Sequence, residues 1–174
     1  VLNRECYELI SEDLSELESK QKRINELTKK IEKIVKADPE LSRMLKIPGV
    51  GPITALSIYG QVQELERFKN GRQFAAYLGL VPRQYSTGGE TKLGGVPKNG
   101  KYPIRMLLAH GARALSRCAK KRSDNISLWV RELEQRKHKN TATIALANKL
   151  ARIIWGVMTS KKDFVDGYIN PAFV

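Results

Sequence analysis

The sequence predicts an all-α protein, with a long coiled-coil helix over residues 1–37 followed by a compact helical domain over residues 38–174. Three observations support this prediction. Residues 2–36 contain no glycine or proline and are rich in Glu, Lys, Leu and Ile. Most segments after residue 38 show the 3.6-residue periodicity of amphipathic helices. No segment shows the alternation of apolar and polar residues that is typical of a half-buried strand.

Apolar residues recur every seven positions along the first helix, at Ile10, Leu17, Ile24 and Ile31. This spacing is typical of a coiled-coil seam, although the second row of apolar residues changes register near Lys20. At 1.5 Å per residue the helix would be about 50 Å long. The narrow seam favours pairing with another helix, and the alternative is a helix that lies on its own domain. We therefore expect a homo-oligomer that forms through the coiled coil.

The helical domain begins where Asp38 can cap a new helix and Pro39 suits its first turn. The helices predicted after this point have the sequences ITALSIYGQVQ, GRQFAAYL, PIRMLLAHGARALSRCAKKR, SDNISLWVRELEQRK and TATIALANKLARIIWGVM. Ser123 or Asp124 is expected to cap the fourth of these. The last helix gathers its apolar residues on one face, as a helix packed against a core does.

Residues 45–60, LKIPGVGPITALSIYG, have the form of a helix-hairpin-helix. Gly49 and Gly51 permit backbone torsions that side chains forbid, and they would expose amide groups at the start of the next helix. The positive end of the helix dipole favours a phosphate there. Such contacts hold a nucleic-acid backbone without reading its sequence. The alternative is a tight helical hairpin that serves only packing.

Charge is distributed unevenly along the chain, which has a net charge of +13. Residues 1–40 carry 8 basic against 10 acidic side chains, whereas residues 41–174 carry 23 against 8. A balance of +15 favours a polyanionic partner, either DNA or structured RNA, and the alternative is a basic surface without a specific partner. The basic residues proposed as nucleic-acid contacts are Arg83, Lys92, Lys98, Arg105 and Arg113.

Cysteine and histidine usage argues against a metal site in this chain. Cys6 and Cys118 are too few and too far apart for a disulfide framework, and two histidines cannot complete a zinc site with them. No apolar run approaches the roughly 18–20 residues of a membrane span. We expect a cytoplasmic protein with no membrane partner.

Residues 82–101 read as a small-residue loop that contains Ser86. Four of the basic residues named above lie near this serine in the sequence, and cations of this kind stabilise charge on a phosphate under attack by a serine oxygen. A Ser-His-Asp set cannot be assembled, because His110 lies within a predicted helix and has no acidic partner. On these residues alone, a structural turn remains the alternative to a nucleophile.

Two long segments carry a family resemblance, together with the hairpin IPGVGPITA. They are FKNGRQFAAYLGLVPRQYSTGGETKLGGVPKNGKYPIRMLLAHGARAL and TATIALANKLARIIWGVM. Over about residues 40–158 the chain closely resembles the C-terminal domain of the insertion-sequence 110/116/902 family of bacterial transposases. The resemblance implies that Ser86 is the nucleophile of a DNA transposase or recombinase. The chain departs from the family's sequence pattern at two places. Gly95 stands where family members commonly have an arginine. The segment NGKYPIR replaces the family's usual segment, although its last residue, Arg105, still matches the arginine that ends that segment.

The resemblance also implies partners that this chain does not contain. Family members carry a separate N-terminal nuclease-like domain with four acidic residues that bind Mg²⁺, and a structured RNA guides them. This chain shows neither a βαβ pattern nor a suitable carboxylate cluster, so it holds no cofactor of its own and is expected to be inactive alone. The alternative function is a non-catalytic helix-hairpin-helix module that binds nucleic acid and dimerises through its coiled coil.

Overall fold

A computed structural model describes residues 4–62, 64–87, 89–97, 100 and 102–167, and the described chain is predominantly helical. The helices are α1 (Arg4–Ala37), α2 (Pro39–Leu45), α3 (Pro52–Gln61), α4 (Gly71–Tyr77), α5 (Tyr102–Cys118), α6 (Asn125–Arg136) and α7 (Lys139–Ser160). Short 3₁₀ turns occur at Leu65–Arg67 and Ala119–Lys121. The predicted all-α class is therefore confirmed.

The predicted absence of strands is wrong at one place. Strands β1 (Gln84–Thr87) and β2 (Glu90–Leu93) form a two-stranded antiparallel sheet within the segment that was expected to be a loop. The residues between the strands are Gly88 and Gly89, and a two-residue Gly-Gly connection is a strong hairpin signal. Gly89 has a φ of +86°, which favours glycine.

The core of the body, which comprises α2 to α7, is built around α7. Helices α2, α4, α5 and α6 all pack against it. Most of the apolar face predicted for α7 is buried, including Leu150 and Ile154, which are fully buried, whereas Ile144 and Met158 are half-buried. Trp129 and Trp155 are partly buried against this core, and the indole Nε1 of Trp155 donates to the carbonyl oxygen of Leu65 at 3.1 Å. Both tryptophans therefore contribute to packing.

Aspartate side chains cap two of the helices. The Oδ1 atom of Asp38 accepts hydrogen bonds from the amides of Glu40 and Leu41, as the sequence predicts. Asp124 caps α6 and also accepts from Arg122 Nε at 2.7 Å. Burial raises the pKa of Asp124, but the hydrogen bonds from Arg122 and Ser127 more than offset this and leave the pKa below its usual value.

One side of α1 carries a row of residues spaced alternately three and four apart, which we call the α1 seam. Its members are Tyr7, Ile10, Leu14, Leu17, Gln21, Ile24, Thr28, Ile31 and Val35. The lower end of the seam packs against α2 and α3, with Val35 fully buried and Ile31 partly buried. Ile34, which precedes Val35 and lies outside the seam, is 53% exposed. Over its last two turns α1 therefore lies on its own domain, which was the alternative to pairing with another helix.

The remainder of the seam, positions 7–24, is uncovered, and we call it the open seam. Every one of its positions is exposed, and Tyr7 and Leu17 are 68% and 63% exposed. Ion pairs along this part of α1, such as Lys20 with Glu16 at 2.6 Å, join exposed residues of the same helix. Helix α1 thus extends beyond the body with an apolar row facing solvent.

Candidate active-site hairpin and nucleic-acid interface

Ser86 lies in β1, the first strand of the hairpin, and its backbone pairs with that of Thr91. The neighbouring pair in the ladder is Tyr85 with Lys92. The expected accessibility of the Ser86 hydroxyl concerns a side chain outside the described part of the structure, and it stays a prediction.

Arg83 and Lys92 flank the serine on the two sides of the hairpin, and both are exposed. Main-chain hydrogen bonds extend the ladder past β1, from Arg83 N to Gly95 O and from Gly94 N to Arg83 O. A Cβ on Gly94 would lie 3.1 Å from the Tyr85 ring, so this ring covers Gly94. The hairpin base is therefore ordered by its own backbone and by Tyr85.

The segments on either side of the hairpin are held by the body. Arg105 of α5 donates from Nη1 to the carbonyl oxygen of Pro97, after β2. Asn148 of α7 donates from Nδ2 to the carbonyl oxygen of Leu80, before β1, at 3.2 Å. A Cβ on Gly100 would approach the backbone of residues 78–79, so the returning chain packs closely against the end of α4. These contacts fix both ends of the serine-carrying segment.

The observed contact gives Arg105 a structural role that its sequence position did not indicate. Its predicted contact with nucleic acid stays a prediction. Lys98, the other cation predicted in this segment, lies outside the described residues. Of the four basic residues grouped near Ser86, the structure thus describes Arg83 and Lys92 as exposed and Arg105 as half-buried.

Gly49, within the predicted helix-hairpin-helix, is explained by packing. Its φ is +80°, and its carbonyl oxygen lies directly against Gly111 of α5. A Cβ on Gly49 would itself come within 3.1 Å of the Gly111 carbonyl oxygen. The two glycines allow the hairpin and α5 to approach closely, which supports the packing alternative for Gly49.

Gly51 has a different environment. It is the N-cap of α3, has an extended backbone, and a Cβ there would meet nothing within 4 Å. Neither a positive φ nor a close neighbour requires glycine at this position, so the start of α3 is open. Lys46, five residues before Gly51 in the sequence, donates a hydrogen bond from its ammonium to Asp163 Oδ2 at 2.6 Å. That hydrogen bond lowers the pKa of Asp163.

Helix α5 presents a basic face to solvent. Arg113 and Arg117 are exposed, as is His110 one turn earlier. Arg122, which follows the helix, instead pairs with Asp124 in the cap of α6, and this hydrogen bond raises the pKa of Arg122. The basic face therefore consists of Arg113 and Arg117, followed by the exposed lysines Lys120 and Lys121 of the next turn.

Polar residues of α7 lie beside the base of the hairpin, and they were not among the site residues expected from the sequence. A groove of about 1640 Å³ runs between α6, α7 and the hairpin base, and it includes Lys149 and Arg152. The Lys149 ammonium lies 4.6 Å from the centre of the Trp129 ring. Burial lowers the pKa of Lys149, and the charge of Arg152 lowers it further. The signal in the sequence is the polar pattern NKLAR within an otherwise apolar helix.

The part of the chain that the structure describes offers no metal site. Among these residues, no group of three or more His, Cys, Asp and Glu side chains could hold a metal ion. None of the described helices has the length and apolar character needed to cross a membrane.

Comparison with known proteins identifies relatives over most of the chain. A probable family 20 transposase of Pseudomonas aeruginosa is 42% identical over 160 residues, which cover 92% of this chain and 47% of that protein. The transposase for insertion sequence element IS1111A of Coxiella burnetii is 41% identical over 150 residues, covering 86% of this chain and 41% of the relative. The transposase for IS1328 of Yersinia enterocolitica is 39% identical over 136 residues, covering 78% and 41%.

The chain spans less than half the length of these three relatives. The profile of the Transposase IS116/IS110/IS902 family matches residues 41–127, which comprise most of α2, all of α3 to α5, the serine hairpin and the start of α6. The matched region thus contains the segment predicted as a helix-hairpin-helix, Ser86 and the basic face of α5. The chain belongs to the IS116/IS110/IS902 family of transposases.

Proposed function

We propose that this chain is the serine-carrying part of a transposase that cuts and rejoins DNA, with Ser86 as the nucleophile. The observation that carries the proposal is the position of Ser86 in a hairpin within the segment that matches the transposase family. Both ends of that segment are held by α5 and α7. A nucleophile on such a hairpin can reach a backbone phosphate while its base stays fixed.

The proposed reaction is a transesterification in two steps. The Ser86 oxygen forms a bond to phosphorus while the bond between that phosphorus and a deoxyribose oxygen breaks. The serine hydroxyl loses a proton and the leaving oxygen gains one, so the phosphodiester becomes a phosphoserine link without consuming water. Attack by the hydroxyl of a second strand end reverses these changes, restores the serine and joins the strands.

The charge that develops on the phosphate requires nearby cations. We assign this role to Arg83, Lys92, Lys98 and Arg105. Mg²⁺ is assigned to an acidic nuclease-like domain outside this chain, where it would stabilise the same charge. The chain alone is therefore proposed to bind nucleic acid without cutting it.

We assign nucleic-acid binding to the hairpin, the start of α3 and the basic face of α5. The residues in this assignment are Gly49, Gly51, Arg83, Lys92, Lys98, Arg105 and Arg113. The partners are DNA and, in the full-length protein, a structured guide RNA, both of which present the same phosphate backbone. The location that follows is the bacterial cytoplasm, in association with the nucleoid.

The affinity of the chain for duplex DNA is expected to fall about a thousandfold between 50 and 200 mM salt, because binding to several phosphates releases counterions. Arg113→Gln should reduce the slope of log affinity against log salt by about one. Arg4→Gln, which removes the same charge from α1, serves as the control and should leave the slope unchanged. Fluorescence anisotropy at several salt concentrations measures both, and an affinity independent of salt would contradict the assignment.

We also propose that the chain self-associates through α1. Leu17→Asp places a charge in the open seam and should abolish self-association, as measured by analytical ultracentrifugation. Leu9→Asp is the matched control, because Leu9 is also 63% exposed but lies outside the seam. Equal loss of self-association in both variants would show that the seam is not the contact surface.

The alternative function is a non-catalytic helix-hairpin-helix module that grips nucleic acid and dimerises through α1. The open start of α3 at Gly51 favours backbone binding of this kind. Ser86→Ala separates the two functions, because a pure binding module would tolerate the substitution whereas a serine transposase would lose strand exchange.

A further inference from the structure

We propose that α1 pairs with α1 of a second copy in an antiparallel orientation, with the contact confined to the open seam. This inference rests on the self-association proposed above and adds its geometry. The seam has the three-four spacing of coiled-coil core positions over its whole length, and its two ends have different surroundings. These differences distinguish the antiparallel from the parallel arrangement.

The body excludes a parallel pair that uses the whole seam. Thr28, Ile31 and Val35 occupy the seam at its lower end, and Ile31 and Val35 pack there against the chain's own α2 and α3. In a parallel pair the partner helix would lie on this same face at the same height. The two bodies would then compete for the space between the helices.

An antiparallel pair avoids this conflict and covers the open seam completely. With Leu14 opposite the partner's Leu17, the next layers place Ile10 opposite the partner's Gln21 and Tyr7 opposite the partner's Ile24. Six seam positions on each helix are then covered, over about 27 Å. Thr28 and the body lie beyond the end of this overlap, so the two bodies are at opposite ends of the paired helices.

Charges beside the seam favour the same orientation. Asp13 precedes the seam residue Leu14, and Lys20 precedes Gln21. In an antiparallel coiled coil, the residues that flank the core in this way on one helix face the residues that flank it in the same way on the other helix. Asp13 therefore faces the partner's Lys20, and the two-fold symmetry of the pair forms this contact twice. In a parallel coiled coil Asp13 would face the partner's Glu18, which places two like-charged pairs beside the core.

The overall charge of α1 also favours the antiparallel orientation. Residues 4–18 carry one basic and six acidic side chains, whereas residues 19–36 carry seven basic and two acidic. A parallel pair would bring the acidic ends together and the basic ends together. Lys20 pairs with Glu16 of its own helix, but this pair is exposed and exposed pairs contribute little, so it does not prevent Lys20 from meeting the partner's Asp13.

Charge reversal tests the orientation by the sign of its effect. Asp13→Lys should raise the Kd of self-association about tenfold, because two attractive pairs become repulsive. Lys20→Asp should do the same, and the double variant should restore an affinity close to that of the unmodified chain. Lys22→Asp, outside the seam, is the control for loss of a lysine. If Asp13→Lys instead tightens self-association, the pair is parallel and the inference is wrong.

Disulfide trapping gives an independent readout in the full chain with Cys6→Ser and Cys118→Ser. Tyr7→Cys and Ile24→Cys variants should each remain uncrosslinked alone under oxidation and should form a mixed disulfide when combined. Crosslinking of either variant with itself would overturn the antiparallel orientation while leaving self-association intact. A chain that stays monomeric in ultracentrifugation would overturn both proposals.

Discussion

Ser86→Ala is expected to reduce strand exchange by at least about a thousandfold in a full-length transposase that contains this chain. The alanine side chain has no oxygen that can form the phosphoserine link, so the first bond-forming step is lost. Binding to DNA should change by no more than a few-fold, because one hydroxyl contributes little to an interface made of many charges. Ser86→Cys should retain a trace of activity, since a thiolate attacks phosphorus poorly.

Thr87→Ala is the matched control for this experiment. It removes a hydroxyl from the adjacent residue of β1, at the pair opposite Glu90, and should leave strand exchange largely intact. Measuring the covalent protein–DNA product by denaturing gel, together with DNA binding, distinguishes chemistry from affinity. Normal recombination by Ser86→Ala would show that the hairpin serves only as a structural turn or a binding element.

Gly111→Ala is expected to cost about 3 kcal/mol or more of the free energy of unfolding. A Cβ at this position would lie well inside van der Waals distance of the Gly49 carbonyl oxygen, which is a backbone atom and cannot rotate away. Relief would require α5 and the helix-hairpin-helix to separate, which would disturb the core between them. Since a small domain is stable by about 5–15 kcal/mol, the variant should unfold at much lower urea concentration.

Gly60→Ala is the control for replacing a helical glycine. A Cβ on Gly60 of α3 would meet nothing within 4 Å, so this substitution should leave stability unchanged or raise it by up to about 1 kcal/mol. Urea unfolding followed by circular dichroism compares both variants with the unmodified chain. If Gly111→Ala unfolds at the same urea concentration as Gly60→Ala, the close approach of Gly49 and Gly111 does not contribute to stability.

Local signals predicted much of the helical architecture. The absence of glycine and proline from residues 2–36, the cap at Asp38 and the 3.6-residue pattern of α7 each act over a few turns of one helix. Periodicity and capping depend on neighbours in the chain, and the sequence contains that information directly. The coiled-coil spacing also indicated a seam on α1, but it did not indicate that Val35 is buried and Ile34 exposed. That difference followed from which residue contacts α2 and α3.

The hairpin around Ser86 could not be recognised from periodicity, for a physical reason. Its strands are only four residues long, and those of their side chains that the structure describes are exposed. They therefore lack the alternation of buried and exposed residues by which strands are recognised. The Gly-Gly connection was the available hairpin signal, but without alternating residues on either side it was interpreted as part of a loop. The strand register pairs Ser86 with Thr91 and Tyr85 with Lys92, which linear distance along the chain could not indicate.

The helical class, the strongly basic charge, the family resemblance and the choice of Ser86 as the candidate nucleophile all follow from the sequence alone. The contacts of individual residues do not. Helix packing places Gly49 against Gly111, Arg105 against the carbonyl oxygen of Pro97, and Lys149 beside the hairpin base. These contacts join residues that belong to different elements of the fold. They depend on how whole helices pack, because that packing, and not any local pattern of residues, sets which backbone atoms approach each other.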